Sequence, residues 1–176
     1  AQVITSAFKS DDGIFKVHRG TVNGTDSVLF EIPKSELDKD FVWDVSIKKT
    51  TVGVGFGGQN VSSRVVRWTK RGDRILLLGI DYSTTADPSS EVAQAVADAN
   101  YPSIIRSMPV MAYGPNGEAV IDATAFFMEG VTEFQARAAV GGRGLAADRS
   151  FLERAISFPD NINVESTLTF TGNDNA

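Results

Sequence analysis

The strongest hydropathy pattern in the chain lies at residues 64–82. In its first arm Val66 and Trp68 share one face, while Arg67 lies on the opposite face. A Lys-Arg-Gly-Asp turn follows, and from Ile75 onwards the second arm is apolar at almost every position. This pattern predicts a β-hairpin whose first arm is half-buried. The second arm is predicted to be covered on both faces and to lie at the centre of the fold.

Further alternating segments predict more strands, two pairs of which form hairpins. An Asn-Gly turn separates the first pair, and a Gly-Pro-Asn-Gly turn separates the second. Two more alternating segments predict single strands. The predicted hairpins are 14–18 with 27–32 and 104–113 with 118–122, and the single strands are 41–47 and 164–171.

Helix signals are fewer. Asp87 as the N-cap and Pro88 at the first helical position predict a helix that runs to residue 99. Residues 132–139 are predicted to form a second helix, and residues 124–130 form either a helical turn or an extension of the preceding strand. Together these elements predict an α+β fold that is predominantly β. Its mostly antiparallel sheet is built from hairpins, with one or two packed helices.

Length and composition fit one domain over residues 1–176. A chain of 176 residues with 42% hydrophobic content can bury its own core. The polar ends, residues 1–12 and 172–176, are predicted to be flexible. Residues 52–62 contain four glycines and are interpreted as a loop, because a phosphate-binding loop requires a following helix and a strand follows here.

Charge and cysteine content narrow the range of functions. The formal net charge of −5 gives no general attraction to nucleic acid, which is therefore not expected as a partner. The absence of cysteine excludes thiolate catalysis and cysteine-based zinc sites. A membrane span is not expected either, because no apolar segment is long enough to form one.

The candidate chemistry is sparse. His18 is the only histidine, so a zinc site built on a histidine pair cannot form within this chain. We interpret His18 as a structural or a surface residue, because no nucleophile motif accompanies it. The Arg71-Gly72-Asp73 tripeptide is interpreted as a hairpin turn and not as an adhesion site. We therefore predict no catalytic, cofactor-binding or metal-binding residue in this chain.

One segment suggests a docking surface. Phe126, Phe127 and Met128 are three bulky apolar residues in a row, so neither a strand nor a helical turn can bury all three against one layer. At least one of them is expected to face another layer. Either residues 132–139 or the segment around Phe151 supplies that layer, or a partner outside the domain covers a possible docking surface at these three residues.

Several blocks of sequence carry a family resemblance. The most specific are SRVVRW (63–68), VIDAT (120–124) and FPDNINVESTLTF (158–170). With the segments around them, from residue 13 to residue 172, they resemble the domain of unknown function that precedes the catalytic region in large bacterial zinc-dependent metalloproteases. The His-Glu-x-x-His motif of such a catalytic region does not occur here, so the resemblance transfers no catalytic residue.

The resemblance implies a non-catalytic accessory domain of a secreted metallopeptidase. Its partner would be the downstream catalytic region of the same polypeptide, which would hold the zinc, and the chain would be exported to the periplasm or beyond the cell. In isolation such a domain can self-associate through the surface that its partner covers. The alternative is a free-standing β-rich binding module for a carbohydrate, lipid or protein ligand.

Overall fold

The computed structural model describes residues 3–22, 24–87, 89–128 and 131–172. It contains eleven strands, two short α-helices and two 3-10 turns within these ranges. In chain order the elements are β1 (Phe8–Asp11), β2 (Lys16–Val22), β3 (Thr25–Ile32), β4 (Asp40–Ser46), β5 (Asn60–Arg71), β6 (Arg74–Ile80), α1 (Ala93–Ala99), β7 (Ser103–Pro109), β8 (Ala112–Tyr113), β9 (Ala119–Asp122), α2 (Thr124–Met128), β10 (Phe151–Ser157) and β11 (Ile162–Thr167).

The strands form three antiparallel sheets. The first has five strands in the order β1-β2-β3-β9-β8, and the second has four in the order β4-β5-β6-β7. Strands β10 and β11 form a third, two-stranded sheet. The prediction of an α+β fold that is predominantly β and mostly antiparallel is confirmed.

Aromatic side chains join the two large sheets. Phe15, directly before β2, and Phe30 on β3 meet Trp68 on β5 at ring distances of 6.0 and 6.2 Å, both edge to face. Such contacts add about 0.5–1.5 kcal/mol each to the gain from burial. Trp43 on β4 also stacks on Phe134 at 4.3 Å. One buried cluster therefore includes residues of both large sheets.

The small sheet packs on the first sheet through polar contacts at its edges. Arg19 on β2 donates to the carbonyl oxygens of Leu152 and Glu153 on β10. At the other end of β10, the Ser157 hydroxyl donates to the carbonyl of Phe15 over 2.6 Å. These bonds fix β10 against β2 and satisfy groups that burial would otherwise leave unpaired.

The three predicted hairpins form, with one difference. Strands β5 and β6 pair around Gly72, whose φ of +59° is the left-handed conformation that suits glycine. Strands β2 and β3 form the first predicted hairpin. In the third, the predicted arm 104–113 was wrong as a single strand, because it divides into β7 in the second sheet and β8 in the first.

Both helix predictions need correction. The first helix begins at Ala93 and not after Asp87, whose carboxylate instead accepts a bond from the Ser89 amide in a turn. Pro88 lies outside the described residues. Residues 132–139 form turns and no helix. A helix is not needed to bury the apolar side chain of Phe134, because it packs against Trp43 and Phe126 from a turn. Of the alternatives for residues 124–130, the structure shows a helix, α2.

Two further expectations differ from the structure. Residues 1–12 were predicted to be flexible, yet Phe8–Asp11 forms strand β1 at the edge of the first sheet. Residues 173–176 lie outside the described ranges. Strand β6 was predicted to be covered on both faces, but only Ile75 and Leu77 are fully buried, while Leu76 and Leu78 are half-buried. Both faces of β3 are buried from Val28 to Ile32.

Candidate functional site

A hydrogen-bonded chain of three side chains crosses the first three strands. Ser10 on β1 lies directly opposite His18 on β2, and its Oγ is 2.7 Å from Nδ1 of the imidazole. The other ring nitrogen, Nε2, is 2.9 Å from Oε2 of Glu31 on β3. His18 is only 2% exposed, and Glu31 is also buried. The antiparallel register places all three side chains on one face of the sheet.

The surroundings hold Glu31 in place. A carboxylate can only accept hydrogen bonds, so Nε2 carries a proton whenever Glu31 is ionised. Lys16 lies opposite Glu31, and its pKa is raised mainly by its bond to Asp12, with Glu31 adding to the effect. Gly114 allows the carboxylate to fit, because a Cβ there would lie 2.1 Å from Oε1 of Glu31.

The order serine, histidine, carboxylate is also that of a hydrolytic triad. In such a triad the imidazole takes a proton from the serine and later gives it to the leaving group, so it must reach the substrate. His18 is almost fully buried beneath Ser10. The arrangement is therefore a clamp that ties edge strand β1 to β2 and β3, in agreement with the structural interpretation of His18.

A second feature is the outer face of the four-stranded sheet, the face turned away from the core. Register places Val42, Val65 and Ile80 in one row across β4, β5 and β6. In the adjoining row Leu78 and Ile104 are apolar, and on the other side of Leu78 the row continues into Arg67 and Asp40. At the margins of the face, Val42 is 73% exposed and Ile104 is 56% exposed. Apolar side chains grouped in this way on a surface are typical of a binding interface.

A polar cluster lies on this same outer face and borders its apolar side chains. Arg67 donates to Asp40 through Nε and Nη2, both at 2.7 Å, and the Tyr82 hydroxyl donates to the other carboxylate oxygen. The bond from Tyr82 and then that from Arg67 lower the pKa of Asp40. The same contact with Asp40 raises the pKa of Tyr82. The cluster joins β4, β5 and the residues after β6, and it orients Tyr82 beside the apolar rows.

A shallow recess lies where β6 ends and α1 and β7 approach it. Asp81 and Asn100 line it on two sides, and Tyr101 and Ser103 complete its polar part. A second recess, between Tyr82 and α1, shares Asp81 and Asn100 with the first. Asn100 donates to the carbonyl of Thr84, which holds the loop after β6 against the end of the helix.

The residues predicted to form a docking surface lie on α2. Phe126 is buried between Trp43 and Phe134, so it faces the core. Phe127 and Met128 are half-buried and pack against the same core, with Phe127 stacked on Trp43 at 5.8 Å. A layer inside the protein therefore meets this segment. Whether Phe127 and Met128 also contact a partner stays a prediction.

Among the residues that the structure describes, no group of three or more histidine, aspartate or glutamate side chains is arranged to hold a metal ion. Nor does any helix in the same part of the chain have the length and hydropathy needed to cross a membrane. The Arg71-Gly72-Asp73 tripeptide lies in the turn between β5 and β6, as predicted.

Sequence reasoning missed most of these groupings. Ser10 lay in a segment predicted to be flexible, and Glu31 looked like an outward-facing residue of an alternating strand. The isolated histidine opposite that strand was the only available signal. Tyr82 and Tyr101 gave a weaker one, since they flank a predicted helix rather than lie within an apolar run.

Comparisons with known proteins identify two family models. A model described as a domain of unknown function (DUF5117) matches residues 58–176, and a second described as a domain of unknown function (DUF5118) matches residues 1–50. No curated protein and no solved structure gives a match. The matched segments fold together: β4 and β3, from residues 1–50, pair with β5 and β9, from residues 58–176. Each large sheet thus draws strands from both segments.

Proposed function

The chain belongs to the DUF5117 family of domains of unknown function, and we propose that it is a non-catalytic accessory domain of a secreted bacterial zinc-dependent metallopeptidase. It binds the downstream catalytic region of the same polypeptide through the outer face of the four-stranded sheet. The exposed apolar rows on that face carry the proposal. The resemblance of residues 13–172 to the domain preceding such catalytic regions supports the choice of partner.

In this proposal the chain performs no chemistry itself. The zinc and the His-Glu-x-x-His motif belong to the catalytic region, and the domain supports its folding or gates substrate access. Val42 and Ile104 lose water on docking, and each fully buried aliphatic side chain contributes about 1.5–3 kcal/mol. Export to the periplasm or beyond the cell follows from the same resemblance. When the partner is missing, the face can mediate self-association.

The outer face is favoured over the α2 segment as the docking surface. Phe126 is buried and Phe127 already stacks on Trp43, so only part of that predicted surface is open to a partner. Val42 and Ile104 instead have more than half of their surface in solvent. A partner gains more from covering side chains that are still exposed than from those already packed in the core.

The first test is the gene sequence beyond residue 176. A His-Glu-x-x-His motif downstream supports the proposal, and a stop codon directly after this chain contradicts it. The second test is Ile104→Asp in the full polypeptide. This change is expected to lower the melting temperature and increase proteolytic cleavage between the two regions, since a charge cannot be buried there without a partner.

Val22→Asp is the matched control for the second test. Like Ile104, Val22 is an exposed β-branched residue of a strand, 44% exposed, but it lies at the end of β2 in the first sheet. It is expected to leave the full polypeptide unchanged. If Ile104→Asp and Val22→Asp have the same effect, the outer face does not dock on the catalytic region.

The alternative is a free-standing binding module for a carbohydrate, lipid or protein ligand. The recess bordered by Tyr82 and Tyr101 favours it, because exposed aromatic rings beside polar groups are typical of ligand sites. A gene that ends soon after residue 176 would support this alternative.

A further inference from the structure

The recess at the end of β6 has a composition suited to a particular ligand chemistry. Its polar part is lined by the Asp81 carboxylate, the Asn100 amide, the Ser103 hydroxyl and Tyr101. These groups include both hydrogen-bond donors and acceptors. Lysine and arginine are absent from the described residues that line it. The site can therefore bind several hydroxyl groups but offers no cation to a phosphate or carboxylate.

Asp81 gives the recess a negative charge. Its Oδ1 accepts a bond from the backbone amide of Ser83 at 2.7 Å, and the Ser83 hydroxyl adds a second interaction. Both lower the pKa of Asp81, so the carboxylate stays ionised at neutral pH. The Asp81 carboxylate repels an anionic ligand in the recess, whereas a neutral hydroxyl group of a ligand can donate a hydrogen bond to it.

A tyrosine lines each of two adjoining recesses: Tyr101 lines the one with Asn100 and Ser103, and Tyr82 lines the one beside α1. Tyr101 is 81% exposed and Tyr82 is 55% exposed, which are high values for aromatic side chains. The bond between the Tyr82 hydroxyl and Asp40, supported by Arg67, fixes the position of the Tyr82 ring. Exposed and fixed aromatic faces lose little conformational entropy when a ligand stacks on them.

We propose that this recess binds a neutral carbohydrate. The C–H face of a pyranose ring stacks on Tyr101, and its hydroxyl groups bind the carboxylate of Asp81, the amide of Asn100 and the hydroxyl of Ser103. A pyranose has both an apolar face and a rim of hydroxyls, which matches this pairing of rings and polar groups. The inference goes beyond the accessory role and does not depend on it, because it requires no catalytic region.

The test is affinity electrophoresis of the 176-residue chain. Native gels contain one of four neutral polysaccharides: barley β-glucan, galactomannan, arabinoxylan or amylopectin. A parallel gel contains polygalacturonate, which is anionic. At least one neutral polymer is expected to retard the chain, and polygalacturonate is expected to leave its mobility unchanged.

Tyr101→Ala is the main variant. Loss of one stacked ring is expected to weaken binding by about tenfold, while the exposed position leaves the melting temperature unchanged. Asp81→Ala is the second variant and is expected to weaken binding to a similar degree through loss of a charge-assisted hydrogen bond. It keeps the test valid if Tyr101→Ala does not fold.

Tyr113→Ala is the matched control. Tyr113 is the remaining tyrosine of the chain and is 51% exposed, but it lies on β8 in the first sheet beside Lys70. Its loss is expected to leave binding unchanged. The proposal is overturned if no neutral polymer retards the wild type, if polygalacturonate retards it more strongly than they do, or if Tyr113→Ala weakens binding as much as Tyr101→Ala.

Discussion

Strands β3 and β6 have similar apolar runs but differ in how many of their faces the protein covers. In β3, the five residues from Val28 to Ile32 are all buried, including Glu31. In β6, Ile75 and Leu77 are buried, while Leu76 and Leu78 are only half-buried. Both strands lie inside their sheets, so hydrogen bonding to neighbours does not explain the difference.

The difference lies on the second face of each strand. On β3 this face holds Leu29 and Glu31, and Glu31 is paired with His18, so a polar residue can be buried without an unpaired charge. On β6 the second face continues into Arg67 on one side and the exposed Ile104 on the other. A similar apolar run therefore belongs to a strand covered on both faces in β3, and to a strand with one open face in β6.

This comparison connects the fold to the proposed function. A face that is apolar in sequence but open in the isolated chain is where a partner gains most by binding.

Leu29→Ala and Leu78→Ala compare the two second faces with the same chemical change. Leu29 is 3% exposed, so its truncation is expected to cost about 2–5 kcal/mol of unfolding free energy. Leu78 is half-buried, so its truncation is expected to cost about 1 kcal/mol. Urea unfolding of both variants measures the difference. Equal costs would show that β6 is covered on both faces after all.

Glu31→Ala tests the hydrogen-bonded pair of Glu31 on β3 and His18 on β2. It removes the partner of His18 Nε2 and leaves that buried nitrogen unpaired, at an expected cost of about 1–3 kcal/mol. Glu31→Gln retains an acceptor oxygen and is expected to cost less. Thermal unfolding provides the measurement, with Glu91→Ala at an exposed position as the control. If Glu31→Ala is as stable as Glu91→Ala, the hydrogen bonds of the clamp do not contribute to the stability of the fold.

Tyr82→Phe tests the polar border of the open face through its pH dependence. The Tyr82 hydroxyl is the largest cause of the lowered pKa of Asp40. A carboxyl whose folded pKa is lowered contributes stability above its unfolded pKa of about 4, and this contribution is lost as pH falls through the folded pKa. The variant is therefore expected to be slightly less stable than wild type at pH 7 and equally stable in acid.

An NMR titration of the Asp40 carboxyl gives a direct reading of the same effect. Its pKa is expected to rise towards the ordinary aspartate value in Tyr82→Phe, with Arg67 retaining part of the original shift. Tyr101→Phe serves as the control because Tyr101 is not a partner of Asp40. If Asp40 titrates alike in wild type and Tyr82→Phe, the cluster does not order this border.

Local signals made much of the fold predictable from sequence. The turn at Gly72 places the β5–β6 hairpin within a few residues, and the alternation in β4 identifies that strand directly. The last strand was predicted at 164–171, but β11 begins and ends earlier, at Ile162–Thr167. The predicted start of the first helix was wrong because an aspartate such as Asp87 can cap a turn as readily as a helix. Phe134 has apolar neighbours at helical spacing, yet stacking on Trp43 determines its conformation instead.

The candidate sites were less predictable because they depend on long-range pairing. The contact between His18 and Glu31 requires the register of β2 against β3, and Ser10 joins them only because β1 pairs with β2. The open face likewise requires the order β4-β5-β6-β7, which brings Val42 and Ile104 to opposite sides of one surface. The hydropathy pattern along the chain predicts neither the register nor the order of these strands.

The most direct test of the account uses the absence of cysteine from this chain. Val42→Cys introduces a single thiol on the open face, and Val22→Cys introduces one on the first sheet as a control. The rate of modification by a thiol reagent is then measured for the chain alone and for the full polypeptide. Val42→Cys is expected to react quickly in the chain alone and at least tenfold more slowly in the full polypeptide, because about 1.4 kcal/mol or more of docking free energy protects it. Val22→Cys should react at the same rate in both. Equal rates for Val42→Cys in the two contexts would contradict the proposed docking of this face.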